Sequence, residues 1–215
     1  MVRTLGWLSA IALAVGMVMA FGVAPREVSQ GNVQRIMYVH PPLAWVAYVA
    51  FAVVAGASIV YLVRRRPAAD RLAHASAEVG VVFTGLAIAT GSIWGKPTWG
   101  TWWTWDARLT SVAILFVMYV GYLLLRATIE DRERAARYCA VLGIVAALDM
   151  PLVHFSVYWW RTLHQPPSLL KPGGFTGSAA ILTPLLVNVA AFTLLYAYLV
   201  AKRARLLRAE RGALA

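Results

Sequence analysis

A cluster of tryptophans marks the middle of the chain. Five of its nine tryptophans lie within residues 94–105, and two glycines and a proline separate them. Tryptophan is large and prefers sites where part of the ring is apolar and the N–H is wet. Five such rings interrupted by Gly95, Pro97 and Gly100 do not suit a simple helix face. The segment therefore predicts an aromatic platform on a shaped loop, matched to a large, flat and partly polar guest.

Two histidines stand in similar local sequences far from each other. His40 is followed directly by two prolines, and His164 is followed by Gln165 and two prolines. Because proline restricts the backbone around it, both imidazoles are predicted to project from rigid corners. Imidazole is a common axial ligand of haem iron, and a porphyrin is flat, apolar and edged by two carboxylates. A histidine at a membrane surface also serves as a simple polar anchor, and sequence spacing does not separate these two roles.

The composition indicates the elements that must position these residues. The chain is 60% hydrophobic and 13% charged, with a mean hydropathy of +0.66. Six apolar stretches of about 17–24 residues recur, close to the ~20 residues that cross a bilayer as a helix. We expect an all-α, polytopic membrane protein with a single six-helix domain over residues 1–215. The stretches are 5–24, 42–63, 73–94, 109–125, 138–157 and 178–201.

The distribution of positive charge predicts the orientation. With the N-terminus in the cytoplasm, 14 of the 20 lysines and arginines fall on the cytoplasmic side and 6 on the outer side. This bias places both termini in the cytoplasm. The net charge of +11 follows from these flanking residues, which favours contact with anionic lipid and not with nucleic acid. The first stretch exceeds the apolar core of a signal peptide and lacks a clean cleavage motif, so we expect it to remain as a helix.

Three outer segments then carry the unusual chemistry: 25–41 and 158–177, which bear the histidines, and 95–108, which bears most of the tryptophans. Arg108, Lys96 and Arg161 lie on the same side and are candidates to neutralise porphyrin carboxylates. Cys139 is the only cysteine, which excludes an intramolecular disulfide and a CxxC pair.

Four polar residues fall within or at the ends of the predicted spans. Charged groups in a membrane are costly and are functional candidates by default. Glu78 can pair with Arg71 or His74, and both Glu78 and Asp149 are expected to close a polar pair in the bundle or to contact a partner's helix. His74 is interpreted as a solvated or a topogenic residue. For His154, a structural hydrogen bond is favoured over a ligand role.

The tryptophan segment resembles a known signature. The run WGKPTWGTWWTWDARLT over residues 94–110 is similar to the WWD segment of the haem-handling proteins of cytochrome c maturation, in the form found in the maturation protein C (CcmC, haem exporter subunit) family. Other segments agree in order and spacing: Phe21–Pro25, Gln30–Asn32, Arg35, Tyr38–Pro41, His154–Val157 and Thr162–Gln165. The resemblance extends over about residues 20–200.

The resemblance implies a site and a function. In such proteins two outer histidines ligate the iron of haem b (iron-protoporphyrin IX), and they match His40 and His164. The segment that holds haem and contacts the haem chaperone matches Trp94, Trp99, Trp102, Trp103, Trp105 and Asp106. We add Arg108 to this set as the carboxylate partner, and Asp106 is expected to accept Trp N–H or backbone hydrogen bonds or to pair with Arg108.

The resemblance also implies partners and a location. Such proteins act in the bacterial inner membrane beside an ABC ATPase subunit, its membrane partner and a small membrane subunit. They present haem on the periplasmic face to a periplasmic haem chaperone of the CcmE type, during c-type cytochrome biogenesis. The chain has no Walker motif, so ATP hydrolysis is expected from a partner, and a delivery subunit is expected instead of an enzyme. Two alternatives stay open: a transmembrane haem channel, and a synthase-like protein that attaches haem.

Overall fold

The chain folds into a bundle of long helices in the computed structural model, which describes residues 2–165 and 177–212. No strand occurs within these residues. Six helical stretches are long and apolar enough to span a membrane, so the predicted all-α polytopic class is confirmed. The helices are α1 (Val2–Val18, continued by a π-helical turn Met19–Val23), α2 (His40–Arg64), α3 (Pro67–Trp99), α4 (Ala107–Thr128), α5 (Arg132–Ala147), α6 (Asp149–Trp159) and α7 (Ala179–Gly212), and a 3-10 helix Val33–Tyr38 precedes α2.

The third span is longer than its apolar stretch predicts, and this changes the description of the tryptophan segment. Helix α3 ends only at Gly100, which adopts the left-handed conformation (φ 78°) and donates its N–H to the Lys96 carbonyl at 3.0 Å. Trp94 and Trp99 therefore lie on the last turns of a helix, and the prediction that the whole cluster forms a loop was wrong. Pro97 is tolerated there because it removes only one hydrogen bond near the helix end.

The fifth span is broken into α5 and α6. Leu148 separates them and donates its N–H to the Val145 carbonyl at 3.1 Å, a shorter-range bond than in an α-helix. Pro151 in the first turn of α6 has no N–H, so it cannot continue the hydrogen-bond ladder of α5.

Close helix contacts hold the centre of the bundle together. The Phe51 ring of α2 stacks on the Tyr119 ring of α4 with 3.7 Å between centroids. Gly80 of α3 faces Phe51, where an added Cβ would lie only 2.7 Å from the ring. The Tyr119 hydroxyl donates to the Gly143 carbonyl of α5 at 3.0 Å. Small residues thus allow α2 and α3 to approach closely, as is common in membrane bundles.

The first and last spans are joined directly. Asn188 of α7 donates its side-chain amide to the Gly16 carbonyl of α1 at 2.9 Å and to the Pro184 carbonyl at 2.8 Å. A Cβ at Gly16 would lie 2.6 Å from the Asn188 oxygen. The buried Asn188 amide therefore joins α7 to α1 through hydrogen bonds to two backbone carbonyls.

Ion pairs occupy the end of the bundle that carries both termini, called here the arginine end. Arg126 of α4 binds Asp70 of α3 at 2.6 Å, and neither side chain is more than slightly exposed. Glu78 pairs with His74 at 3.1 Å, as expected, and also with Arg203 of α7 at 2.9 Å. The interpretation of His74 as solvated was wrong, because its side chain is only 17% exposed and is bound to Glu78.

Candidate functional site

A pocket opens at the opposite end of the bundle, called here the pocket end. It lies between α2, α3, α4 and the residues that follow α6, and its cavity volume is about 90 Å³, within an open concavity of about 690 Å³. The polar and aromatic residues that line it are His40, Tyr48, Ser92, Trp99, Thr101, Trp102, Trp103, Thr104, Arg108 and His164. Both predicted metal ligands are therefore in one pocket.

His40 is held on a helix. It is the first residue of α2, and its two following prolines lie in the first helical turn, where proline fits well. Its Nδ1 atom is 3.0 Å from the Ala87 carbonyl of α3 and 3.3 Å from the Thr90 hydroxyl. A carbonyl only accepts hydrogen bonds, so Nδ1 carries the proton and the Nε2 lone pair is free for a metal.

Helix α3 restricts the space around His40. Trp94 meets the imidazole edge-on, with 5.9 Å between ring centroids. One turn earlier on α3, a Cβ at Gly91 would lie 2.8 Å from the His40 ring. Only glycine at position 91 lets α3 approach the imidazole this closely, so the ring orientation is fixed by packing and by its hydrogen bond.

His164 is held differently, in the segment that follows α6. Its ring meets the edge of Trp99 with 4.8 Å between centroids. Its buried Nδ1 atom has no hydrogen-bond partner among the described residues. Burial lowers the pKa of His164 to about 4, and the positive charge of Arg108 and a protonated His40 act in the same direction. The imidazole is therefore neutral near pH 7, which is the form that binds metals.

Asp106 connects the tryptophan segment to the segment that bears His164. Its Oδ1 atom accepts the Leu109 N–H at 2.9 Å and caps α4. Its Oδ2 atom accepts the Leu163 N–H at 3.1 Å and faces the Thr104 hydroxyl at 3.5 Å. Of the roles expected for Asp106, the structure shows backbone hydrogen bonds. No ion pair with Arg108 occurs within the described residues.

The five tryptophans divide into two groups. Trp99, Trp102 and Trp103 line the pocket, and Trp102 is 57% exposed at its mouth. Trp94 and Trp105 do not line it: Trp94 donates its indole N–H to the Gln30 side chain at 2.9 Å, and Trp105 is 79% exposed. Trp105 packs edge-on against Trp103 at 5.5 Å. The segment thus has an inner face toward the pocket and an outer face toward its surroundings.

The candidate cations also differ in placement. Arg108 lines the pocket and makes no ion pair within the described residues. Lys96 donates to the Gly100 carbonyl at 3.1 Å and so stabilises the end of α3. Arg161 is exposed and is not part of the pocket lining. The predicted loop 158–177 is described only in part, because residues 166–176, with both prolines after His164, lie outside the described residues.

Several pocket residues were not predicted from the sequence, and Tyr48 is the largest of them. Tyr48 lines the pocket wall, and the buried Tyr48 hydroxyl has no hydrogen-bond partner in the described ranges. The signal was present, because Tyr48 and Ala44 follow His40 at helical spacings of eight and four residues and so share its face of α2. Asp149 and His154 are not part of the lining. The Asp149 Oδ2 atom is buried without a described partner, and His154 packs edge-on against Phe155 at 5.0 Å.

The metal-binding side chains of the pocket limit which metal-containing group can bind there. No cluster of three or more His, Cys, Asp or Glu residues occurs within the described residues. A structural zinc ion takes four protein ligands, whereas a haem iron takes at most two from the protein. Two neutral imidazoles, three tryptophans and one unpaired arginine therefore suit a flat metal macrocycle with acidic edges better than a bare metal ion.

Fold and site together define a polytopic membrane protein with a two-histidine, tryptophan-lined pocket at one end of its bundle. The family model described as CcmC, heme exporter protein C, matches residues 1–214, and the chain belongs to this family. It is 47% identical to a heme exporter protein C of Bradyrhizobium diazoefficiens over 96% of this chain and 80% of that protein. It is 40% identical to a heme exporter protein C of Escherichia coli K12, over 92% of this chain and 79% of that protein. A putative cytochrome c biosynthesis ccmC-like mitochondrial protein of Arabidopsis thaliana is 38% identical, over 94% and 75%.

Proposed function

We propose that this chain binds haem b in the pocket and delivers it to a periplasmic haem chaperone during c-type cytochrome biogenesis. The observation that carries the proposal is the presence of His40 and His164 in one pocket, although 124 residues separate them in sequence. The names of the relatives, heme exporter protein C, agree with a role in haem handling.

The two imidazoles would be the ligands that the protein supplies to the haem iron. The hydrogen bond from His40 Nδ1 to Ala87 leaves Nε2 free, and burial keeps His164 neutral. Trp99, Trp102 and Trp103 provide the aromatic lining for a porphyrin, and Arg108 is the pocket cation for its propionates. Bound iron supplies the chemistry of ligand exchange, while the protein supplies ligands, shape and charge.

The outer face of the tryptophan segment is suited to the handover. Trp102 and Trp105 are exposed beside the pocket, and Trp105 contacts the pocket wall through Trp103. Exposed tryptophans are strong anchors for a protein partner. We assign these two rings to the chaperone contact, and Trp94 to holding the tryptophan segment against residues 25–41 through Gln30.

We also propose an orientation of the chain in the membrane and a set of partner subunits. The arginine end carries most of the positive charge, and we place it in the cytoplasm, so that the pocket end faces the periplasm of a bacterial inner membrane. The chain would act with an ABC ATPase subunit, its membrane partner and a small membrane subunit, which supply the energy of ATP hydrolysis. It is a delivery subunit in this scheme and not an enzyme.

Haem binding by the purified protein tests the ligand assignment. We expect the wild type in detergent to take up haem with a six-coordinate, low-spin optical spectrum, and we expect His40→Ala and His164→Ala each to change it. His74→Ala and His154→Ala are matched controls, because both histidines lie outside the pocket. If the two pocket variants keep the wild-type haem content and spectrum, the axial assignment is wrong.

A further inference from the structure

One carboxylate joins three parts of the pocket end. Asp106 uses one oxygen to cap α4 through Leu109 and the other to accept the N–H of Leu163. Leu163 directly precedes His164. We propose that Asp106 is a positioning residue that sets the location of His164 and makes no contact with haem itself, an inference that rests on the proposed haem function.

Residues 161–165 are joined to the rest of the described chain by one hydrogen bond. Helix α6 ends where the Trp160 N–H bonds to the Ser156 carbonyl. Within residues 161–165, the Thr162 hydroxyl bonds locally to the His164 carbonyl. Among the described residues, the Leu163–Asp106 hydrogen bond is the only one that joins 161–165 to another part of the chain. This bond and the contact between the His164 imidazole and Trp99 both help to place His164.

The site of Asp106 relative to the pocket supports a positioning role. Asp106 does not line the pocket, whereas its neighbours Thr104 and Arg108 do. Both of its oxygens are used by backbone N–H groups. A carboxylate on the pocket wall would also repel the propionates of a porphyrin, so a position behind the wall is the favourable one.

The capping role can be separated from the tethering role. Asp131 caps α5 in the same way, accepting the Arg134 N–H at 2.6 Å, and it does so at the arginine end. A cap needs only one oxygen, and Ser or Asn supplies it about as well as Asp. The second oxygen of Asp106 accepts the Leu163 N–H and lies 3.5 Å from the Thr104 hydroxyl, so a Ser or Asn variant keeps the cap and loses the tether to Leu163.

The test compares haem binding by Asp106→Ser with that of the wild type. We expect a loss of haem affinity of up to about tenfold, because loss of a group that orients His164 cannot cost more than loss of His164 itself. We also expect a partial change from the low-spin to the high-spin spectrum, which millimolar imidazole reverses by replacing His164. Asp131→Ser is the matched control and is expected to bind haem like the wild type.

A double variant distinguishes positioning from direct contact. If Asp106 acts through His164, adding Asp106→Ser to His164→Ala causes no further loss of haem affinity. An additional loss of tenfold or more in the double variant overturns the proposal, as does a wild-type spectrum and affinity in Asp106→Ser. If Asp106→Ser does not elute as a monodisperse protein, Asp106→Asn replaces it. When the Asn oxygen caps α4, the Asn amide nitrogen faces Leu163 and cannot accept its N–H.

The outcomes also separate this inference from the proposed function. A wild type that takes up no haem, or a His164→Ala variant with an unchanged spectrum, contradicts the proposed function itself. A wild type with two histidine ligands, combined with an unaffected Asp106→Ser, contradicts only the positioning role.

Discussion

The two histidines of the pocket are mounted in different ways. His40 stands on the 25-residue helix α2, with its Nδ1 atom bound to the backbone of α3 and its ring confined by Gly91. His164 lies beyond the end of α6, with no described partner for Nδ1 and one hydrogen bond from its neighbour to Asp106. Side chains on helices are positioned more precisely than those on loops. Within the described residues, the His40 ring is therefore held by hydrogen bonds, whereas the His164 ring is held by packing alone.

This difference suggests an order of events for haem release. A ligand that is fixed by its surroundings stays near the iron after a bond breaks, whereas a ligand on a loosely attached segment moves away. We expect His164 to leave first when a chaperone takes haem, and His40 to keep it in the pocket until the transfer is complete. Four predictions test this asymmetry, beginning with the largest effect.

Removal of each histidine is the most direct comparison. His40→Ala is expected to lower haem affinity by at least about 100-fold, since it removes the preoriented ligand, and His164→Ala by about tenfold. His164→Ala is expected to retain five-coordinate haem. Titration with haem, followed at the Soret band, measures both values. Equal losses in the two variants contradict the asymmetry.

A small change beside His40 tests whether its fixed orientation matters. Gly91→Ala places a Cβ 2.8 Å from the imidazole, so the ring must move. We expect about a tenfold loss of haem affinity with normal protein yield. Gly121→Ala in α4 is the control, because no atom lies within 4 Å of its added Cβ. Unchanged haem affinity in Gly91→Ala means that haem binding does not depend on this orientation of the His40 ring.

The aromatic contacts of the two histidines allow a matched pair of variants. Trp99 contacts His164 and lines the pocket, whereas Trp94 contacts His40 from outside it. An aromatic contact contributes about 0.5–1.5 kcal/mol, so Trp99→Leu is expected to lower haem affinity between about twofold and tenfold. Trp94→Leu is expected to change it by no more than about twofold, because Ala87 still holds His40. If equilibrium titrations show a larger loss of haem affinity in Trp94→Leu than in Trp99→Leu, His40 is the less constrained ligand.

The smallest effect is expected at Thr90. Its hydroxyl is 3.3 Å from His40 Nδ1 and supplements the shorter bond to Ala87. Thr90→Val keeps the shape and removes this contact, so we expect less than a threefold change in haem affinity. A resonance Raman measurement of the iron–histidine environment provides the second readout. If Thr90→Val lowers haem affinity tenfold, the Thr90 hydroxyl and not the Ala87 carbonyl orients His40.

The sequence predicted the class of fold and most of the pocket because the signals are local. Apolar length identified six spans, and residue type with proline context identified His40 and His164. The helical course of residues 95–99, including Trp99, was missed because the final turn depends on one left-handed residue, Gly100. A run rich in glycine and proline does not indicate in advance which glycine ends the helix.

Contacts between distant residues were the least predictable part. The Asp70–Arg126 and Glu78–Arg203 pairs join residues 56 and 125 positions apart, and no periodic pattern encodes such partners. The Asp106–Leu163 bond is of the same kind, since its acceptor is visible in the sequence but its backbone donor is not. Packing of the whole bundle decides these pairs.

The bond between Asn188 and Gly16 also has a consequence for biosynthesis. The two residues are 172 positions apart, so a ribosome adding about 5–20 residues per second needs roughly 10–30 s to make the second after the first. During that interval α1 is in the membrane without α7, the helix that contacts its Gly16. The bundle therefore closes only when the last span is inserted, and the earliest helix is among the last to reach its final neighbours.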